Sequence, residues 1–435
     1  MSVHRRLAAP KSVLRAVVAS LALPAMLQLA SACAAPPPQS APSGRVAFAP
    51  PRRLILISFD GFRWDYIDRP AARNLRALAA RGVRAERMIA SFPTKTFPNH
   101  YTIVTGLRPE HHGIVANAMR DSVLGSFTLR DTLAQSEPRW WGGEPIWITA
   151  ELQGRRSAIV GWPGSEAPIK DTRPTWWSRY DHEMPRAAEV QRLLDWLSLP
   201  PDSAPSLLVA YFHEVDGAGH SFGPSAPQVD TAIAQVDSAL GALMDGIAAR
   251  GLTEAVDIII VSDHGMTPVS PERAILLDDY IDLADVDVVD WTPVGAVEPK
   301  PGAADRVYER LRNAHPALEV YRKGEVPARY AFNAHPRITS LVLVAADGWT
   351  ITTRAQAERW RRNDWRGGGN HGFDPTLVNM GATFVAAGPS FARGTVLPPF
   401  RNVHIYALMA ELLRLRPAAN DGSLDSLRAA LRGNR

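Results

Sequence analysis

The sequence predicts an α/β fold: a mostly parallel sheet flanked by helices, with a smaller α+β insertion. Three observations carry this. Continuous apolar runs of strand length recur at Leu54–Phe59, Ser206–Phe212 and Val256–Val261, the pattern of strands buried on both faces. Amphipathic stretches with apolar residues three and four apart alternate with them. Between 269 and 354 the character changes to short strand-like pieces separated by turn residues.

In chain order, Arg5, Arg6, Lys11 and Arg15, the apolar stretch Val17–Ala30 and the small residues Ala30–Ala32 read as an export signal over residues 1–32. The stretch is short for a membrane span. Cys33, the only cysteine, opens a Pro/Ser-rich linker over 33–50. Two maturations stay open: a lipidated Cys33 tethering the chain to a membrane, although Ala30 stands where lipoproteins usually have Leu, or ordinary cleavage after Ala32 or Ala34. Both lead to a periplasmic or outer-membrane-anchored location, with no intramolecular disulfide. One catalytic domain is expected over 51–420, with 269–354 as its insertion and 421–435 as a C-terminal tail. Expected helices are Ala71–Arg81, Ala187–Leu197 and Gln228–Arg250. Further strands are expected at Ser157–Val160 and Ala382–Ala387, and in the insertion at Val286–Val289, Ser340–Val344 and Thr350–Thr353, the last following a turn at Ala345–Trp349.

The strand ends carry the chemistry. Asp60 follows the first run and Asp263-His264 the third, while the second leads into a loop bearing Asp216 and, four residues on, His220. Ligands at the carboxyl ends of strands occupy the usual site edge of an open α/β sheet. Asp60, Asp216, His220, Asp263, His264 and His371 are the residue types that bind zinc, and six divide into two sets of three. Each alone reads more readily as turn or packing chemistry; the joint pattern does not. Two zinc ions, three carboxylates and one alkoxide sum to near zero, a site suited to a singly charged phosphodiester. Two metals about 4 Å apart clamp the attacking and leaving oxygens of an in-line displacement. In Ser91–Gly106, Pro98 suits the first turn of a helix, placing Thr96 and Phe97 at its N-terminus, where anions are favoured. Thr96 is then either a helix cap or a metal-activated nucleophile, with Thr94 as its rival.

The runs DGFR, TKTFPNHYTIVTGLRPEHHGIVAN, WPGS, VDGAGHSFGP, SDHGM and NHGFD, in this order along the chain, resemble the nucleotide pyrophosphatase/phosphodiesterase family of the alkaline phosphatase superfamily, over roughly residues 52 to 420. The resemblance implies an alkaline-phosphatase-like fold and a cofactor of two Zn2+. Asp216, His220 and His371 would hold one ion, and Asp60, Asp263 and His264 the other. Thr96 would attack phosphorus and also touch metal. Asn117 would donate to a phosphoryl oxygen, and Phe97 and Tyr180 would sandwich a nucleobase. Substrates would be small nucleotide diesters cleaved to nucleoside 5′-monophosphates. Family relatives that cleave phospholipid or choline-type diesters give the alternative.

Other classes fit less well. A sulfatase needs a cysteine or serine nucleophile, and the only cysteine is Cys33. An alkaline phosphatase acting on dianions wants a third metal or more basic groups than Lys95. The export signal disfavours a phosphomutase. The net charge of +4 equals the four leader cations, which have no acid among them, so no basic surface for duplex nucleic acid is implied.

Overall fold

A computed structural model of the chain describes residues 52–291 and 293–433; the expected signal, the linker and Cys33 lie outside them. At its centre is an eight-stranded sheet in the order Thr395–Leu397, Val83–Ala85, Phe384–Ala387, Val256–Val261, Arg53–Phe59, Leu207–Phe212, Ser157–Val160, Trp176–Ser178. All neighbours run parallel except Phe384–Ala387, which is antiparallel to both of its own.

The apolar runs are continuous because both faces are covered. Leu54 and Leu56 point into one core and Ile55, Ile57 and Phe59 into the other, as a period of two requires. Each full burial of such a side chain contributes about 1.5–3 kcal/mol. Helices Arg73–Arg81, Arg186–Leu197 and Pro227–Ala249 cover one face. Thr96–Thr105, Ile146–Leu152 and His404–Leu413 cover the other. Among the described residues no helix is long and apolar enough to cross a membrane.

A second, antiparallel sheet orders Val286–Asp290, Val294–Pro299, Leu341–Ala345 and Leu318–Arg322. Its own core, with Leu277, Val297, Val307 and Leu343, is shared with Phe373 and Met380. The two strands unmarked in the sequence, Val294–Pro299 and Leu318–Arg322, are interrupted by Gly295 and by charged residues facing solvent. One expectation is corrected: Asp216 and His220 sit on a helix, Glu214–Phe222, and not on a loop. Gly217 and Gly219 argue against a helix by propensity, but Gly219 packs so close to Met266 that a Cβ would lie 2.9 Å from its Cε. The helix sets residues i and i+4 on one face.

Candidate active site

The three central strands deliver their carboxylates to one edge of the sheet. Asp60 lies just beyond Phe59, and the turn behind it needs Gly61, whose φ is +65° and whose Cβ would stand 2.9 Å from the Asp216 backbone. The Gly61 N–H donates to Asp263 Oδ1 at 3.1 Å, and Tyr211 Oη donates to Asp60 Oδ2 at 2.5 Å.

Three imidazoles face these acids in one common arrangement. His220 Nδ1 lies 3.0 Å from the Gly369 carbonyl, His264 Nδ1 2.9 Å from Gly265 and His371 Nδ1 2.8 Å from Thr94. A carbonyl only accepts, so each Nδ1 carries a proton and each Nε2 faces the centre, where the neutral ring presents a lone pair. Those lone pairs meet carboxylate oxygens: His220 Nε2 is 3.4 Å and His371 Nε2 3.6 Å from Asp216 Oδ1, while His264 Nε2 is 2.8 Å from Asp263 Oδ2 and 3.5 Å from Asp60 Oδ1. The same three oxygens, Asp60 Oδ1, Asp216 Oδ1 and Asp263 Oδ2, are buried without a hydrogen-bond donor. Lone pairs converging on lone pairs in a buried site call for cations, and imidazoles pinned through Nδ1 are the usual outer support of metal ligands.

The charges repeat the demand. Burial, with Asp263 and Asp216 nearby, pushes Asp60 well above the usual carboxylate range. Burial opposes ionisation of Asp263 too, but His264 and His100 overcome it and hold this carboxyl low; Asp263 in turn raises His264 against its burial, so with no cation bound a proton on His264 Nε2 answers this carboxylate. Burial and the neighbouring His264 and His220 keep His371 well below the ordinary imidazole value. The rings of His264 and His371 stack 3.5 Å apart, an arrangement that two imidazolium ions would resist. Asp216, His220 and His371 form one group with ligand atoms in mutual reach; Asp60 joins His264 and Asp216 in a second, and Asp263 and His100 in a third. His100 is a support: its Nε2 is 2.8 Å from Ser58 Oγ and its Nδ1 2.9 Å from the Thr96 carbonyl.

Thr96 is the first residue of its helix, and Lys95 precedes it as cap residue with no side-chain cap bond. Its hydroxyl is therefore not spent on capping and lies 3.4 Å from His264 Nε2. Thr94, the rival, is engaged: its Oγ1 donates to the Phe373 carbonyl and accepts from Gly372 N–H. Buried Asn99 shapes the loop, giving its amide to the carbonyls of Ser91, Pro93 and Lys95. Asn117 Oδ1 accepts from Phe97 N–H at 3.0 Å, which leaves the Asn117 NH2 as the donor beside the helix N-terminus. Phe97 contacts Phe127 and Trp141, whereas Tyr180, 43% exposed, lies against Tyr211 and His213. The WPGS segment is a brace: Trp162 Nε1 donates to the His100 carbonyl, and Gly164, at φ +88°, lets the chain pass the Trp141 ring.

Sequence reasoning missed His100, Tyr211 and Asn99. His100 is four residues after Thr96, so helix periodicity could have placed it on the same face. Tyr211 looks like any strand aromatic, and nothing local marks Asn99.

Fold and site together define a hydrolase with an α/β, alkaline-phosphatase-like fold, of a metal-dependent kind. The chain belongs to the type I phosphodiesterase / nucleotide pyrophosphatase family, whose profile matches residues 54–374. It is 38% identical over 394 residues to an uncharacterized pyrophosphatase/phosphodiesterase of Schizosaccharomyces pombe, covering 88% of this chain and 81% of that one. It is 36% identical over 386 residues to the bis(5′-adenosyl)-triphosphatase ENPP4 of Homo sapiens, covering 88% and 82%. Among solved structures it resembles murine ectonucleotide pyrophosphatase/phosphodiesterase 5, an inactive variant in complex with AMP, at a TM-score of 0.82 and 35% identity, covering 87% of this chain and 100% of that one.

Proposed function

We propose that this chain hydrolyses phosphodiester or phosphoanhydride bonds of small nucleotides with two zinc ions, through a covalent intermediate on Thr96, releasing nucleoside 5′-monophosphates. The observation that carries the reading is the set of three buried carboxylate oxygens facing three Nε2 atoms beside the Thr96 hydroxyl, itself 3.4 Å from His264 Nε2. Asp216, His220 and His371 hold one ion and Asp60, Asp263 and His264 the other. Bound there, zinc supplies Lewis acidity, lowering the pKa of a hydroxyl and neutralising the carboxylates.

The chain's own residues do the rest. The ionised Thr96 oxygen bonds to phosphorus as the bond to the leaving group breaks; water then attacks the same phosphorus and the Thr96 Oγ–P bond breaks. The helix N-terminus and the Asn117 NH2 face the phosphoryl oxygens, where fixed donors stabilise developing charge. Phe97, on the same turn as Thr96, offers a ring face to a base, and Tyr180 sits at the rim beside Tyr211. AMP in a structural relative at 35% identity supports a nucleoside over a lipid head group.

The test is the ratio of kcat/KM for nitrophenyl esters of thymidine monophosphate and of phosphocholine. A ratio above about a hundred, roughly 2.7 kcal/mol of differential transition-state binding, is expected. A ratio of one or less moves the substrate to lipid diesters.

A further inference from the structure

Lys95, beside the proposed nucleophile, turns its ammonium to the second sheet. Only 4% exposed, it gives Nζ to Asp290 Oδ2 at 2.6 Å and to the carbonyls of Trp291 and Val294 at 3.2 and 3.3 Å. Three N–H donors thus meet three acceptors, all from the hairpin Val286–Pro299 of the second sheet. The register of that hairpin shifts between Val288 and Asp290, the irregularity by which a strand re-aims a side chain. The Asp290 carboxylate is steadied by the Trp291 N–H.

The other end of the contact is the reacting centre. The Lys95 carbonyl accepts the first bond of the Thr96 helix from Asn99 N–H. Its neighbour Thr94 holds His371 Nδ1 through its carbonyl and Gly372 N–H through its hydroxyl. Gly372 in turn packs on Pro293 and on the Lys95 side chain, so tightly that a Cβ would lie 2.8 Å from Pro293 Cδ. A buried ion pair adds little net stability, because desolvating both ions offsets their attraction. What three converging bonds supply is a fixed geometry.

We infer that Lys95 and Asp290 are positioning residues, and that through them the second sheet sets the placement of the Thr96 hydroxyl and the His371 imidazole. This rests on the roles proposed above for Thr96 and His371. A displacement of about 1 Å at such a centre can cost up to 10²-fold in rate.

The experiment uses zinc-loaded full-length protein, with nitrophenyl thymidine monophosphate as probe. Asp290→Asn, which keeps the size, and Lys95→Met are expected to lower kcat about tenfold or more with KM within about twofold. Both are expected to surrender one zinc to a chelator faster than the parent, at temperatures well below Tm. The double variant Lys95→Met/Asp290→Leu is expected to regain the parental Tm and not the parental kcat. Parental kcat and zinc retention in both single variants overturn the inference, as does a double variant that regains rate along with Tm. Because zinc retention is read without turnover, failure here is distinct from failure of the Thr96 mechanism, which Thr96→Ala tests alone.

Discussion

The two halves of the proposed metal centre differ in exposure. Asp60, Asp263 and His264 sit at the ends of strands in the middle of the sheet, with side chains 0–2% exposed. Asp216 and His220 stand on one turn of a helix, 18% and 39% exposed, and only His371 beside them is buried. Inner carboxylates have no water to turn to when no cation is present, so they shift their proton affinities. In the outer pair His220 and part of the Asp216 side chain reach solvent, although Asp216 Oδ1 is itself buried. The same ligand chemistry is therefore part of the core on one side and an openable position on the other.

The sharpest separation is between holding metal and doing chemistry. Thr96→Ala leaves both ligand sets in place, so kcat should fall on the order of 10⁴–10⁶-fold, the range found on deleting members of a catalytic triad, with zinc content unchanged. A rate within tenfold of the parent would remove Thr96 from the mechanism. Next come the halves themselves. Asp263→Asn should abolish activity at any zinc concentration, because it removes a charge from a closed site. His220→Ala should recover part of its rate in millimolar zinc. Equal rescue of both variants would erase the distinction. Asn117→Ala, touching neither half, should cost about 2.7–4 kcal/mol in the barrier, as a lost transition-state donor does; a change under about threefold would make it a structural residue.

The smallest effect concerns an imidazole that holds no metal. His112 is buried, with Nε2 on Thr102 Oγ1 and Nδ1 accepting from Ile114 N–H, and burial lowers its pKa from 6.5 to about 3. Between those values the unfolded chain binds a proton that the folded one refuses. Its contribution is thus complete above pH 6.5 and is lost as pH falls toward 3, at up to about 1.4 kcal/mol per pH unit. In urea melts His112→Asn should lower stability at pH 8 yet flatten its acid decline; an unchanged slope would contradict this.

Much of this was legible in the sequence, for reasons that differ by residue. Asp60 and Asp263 end uninterrupted apolar strands, and such runs announce both the strand and its exit. The three central strands and the three expected helices, Arg73–Arg81, Arg186–Leu197 and Pro227–Ala249, lie within two residues of their expected ends. The helix bearing Asp216 and His220 was not legible, because its two glycines speak against a helix locally, and the close packing of Gly219 on Met266 is a tertiary cause. The Lys95–Asp290 contact spans 195 positions, and no local pattern encodes a partner at that distance. Short edge strands such as Trp176–Ser178 owe their form to the neighbour they pair with. The leader and Cys33 lie outside the described residues, so the export reading stands as a proposal from sequence.

The most direct test of the central claim is a zinc titration of metal-free protein, followed by release to a mild chelator. Two ions per chain are expected, one leaving readily and the other retained, with His220→Ala abolishing only the first. One ion or none per chain, or two that leave together, would contradict a centre with an inner and an outer half.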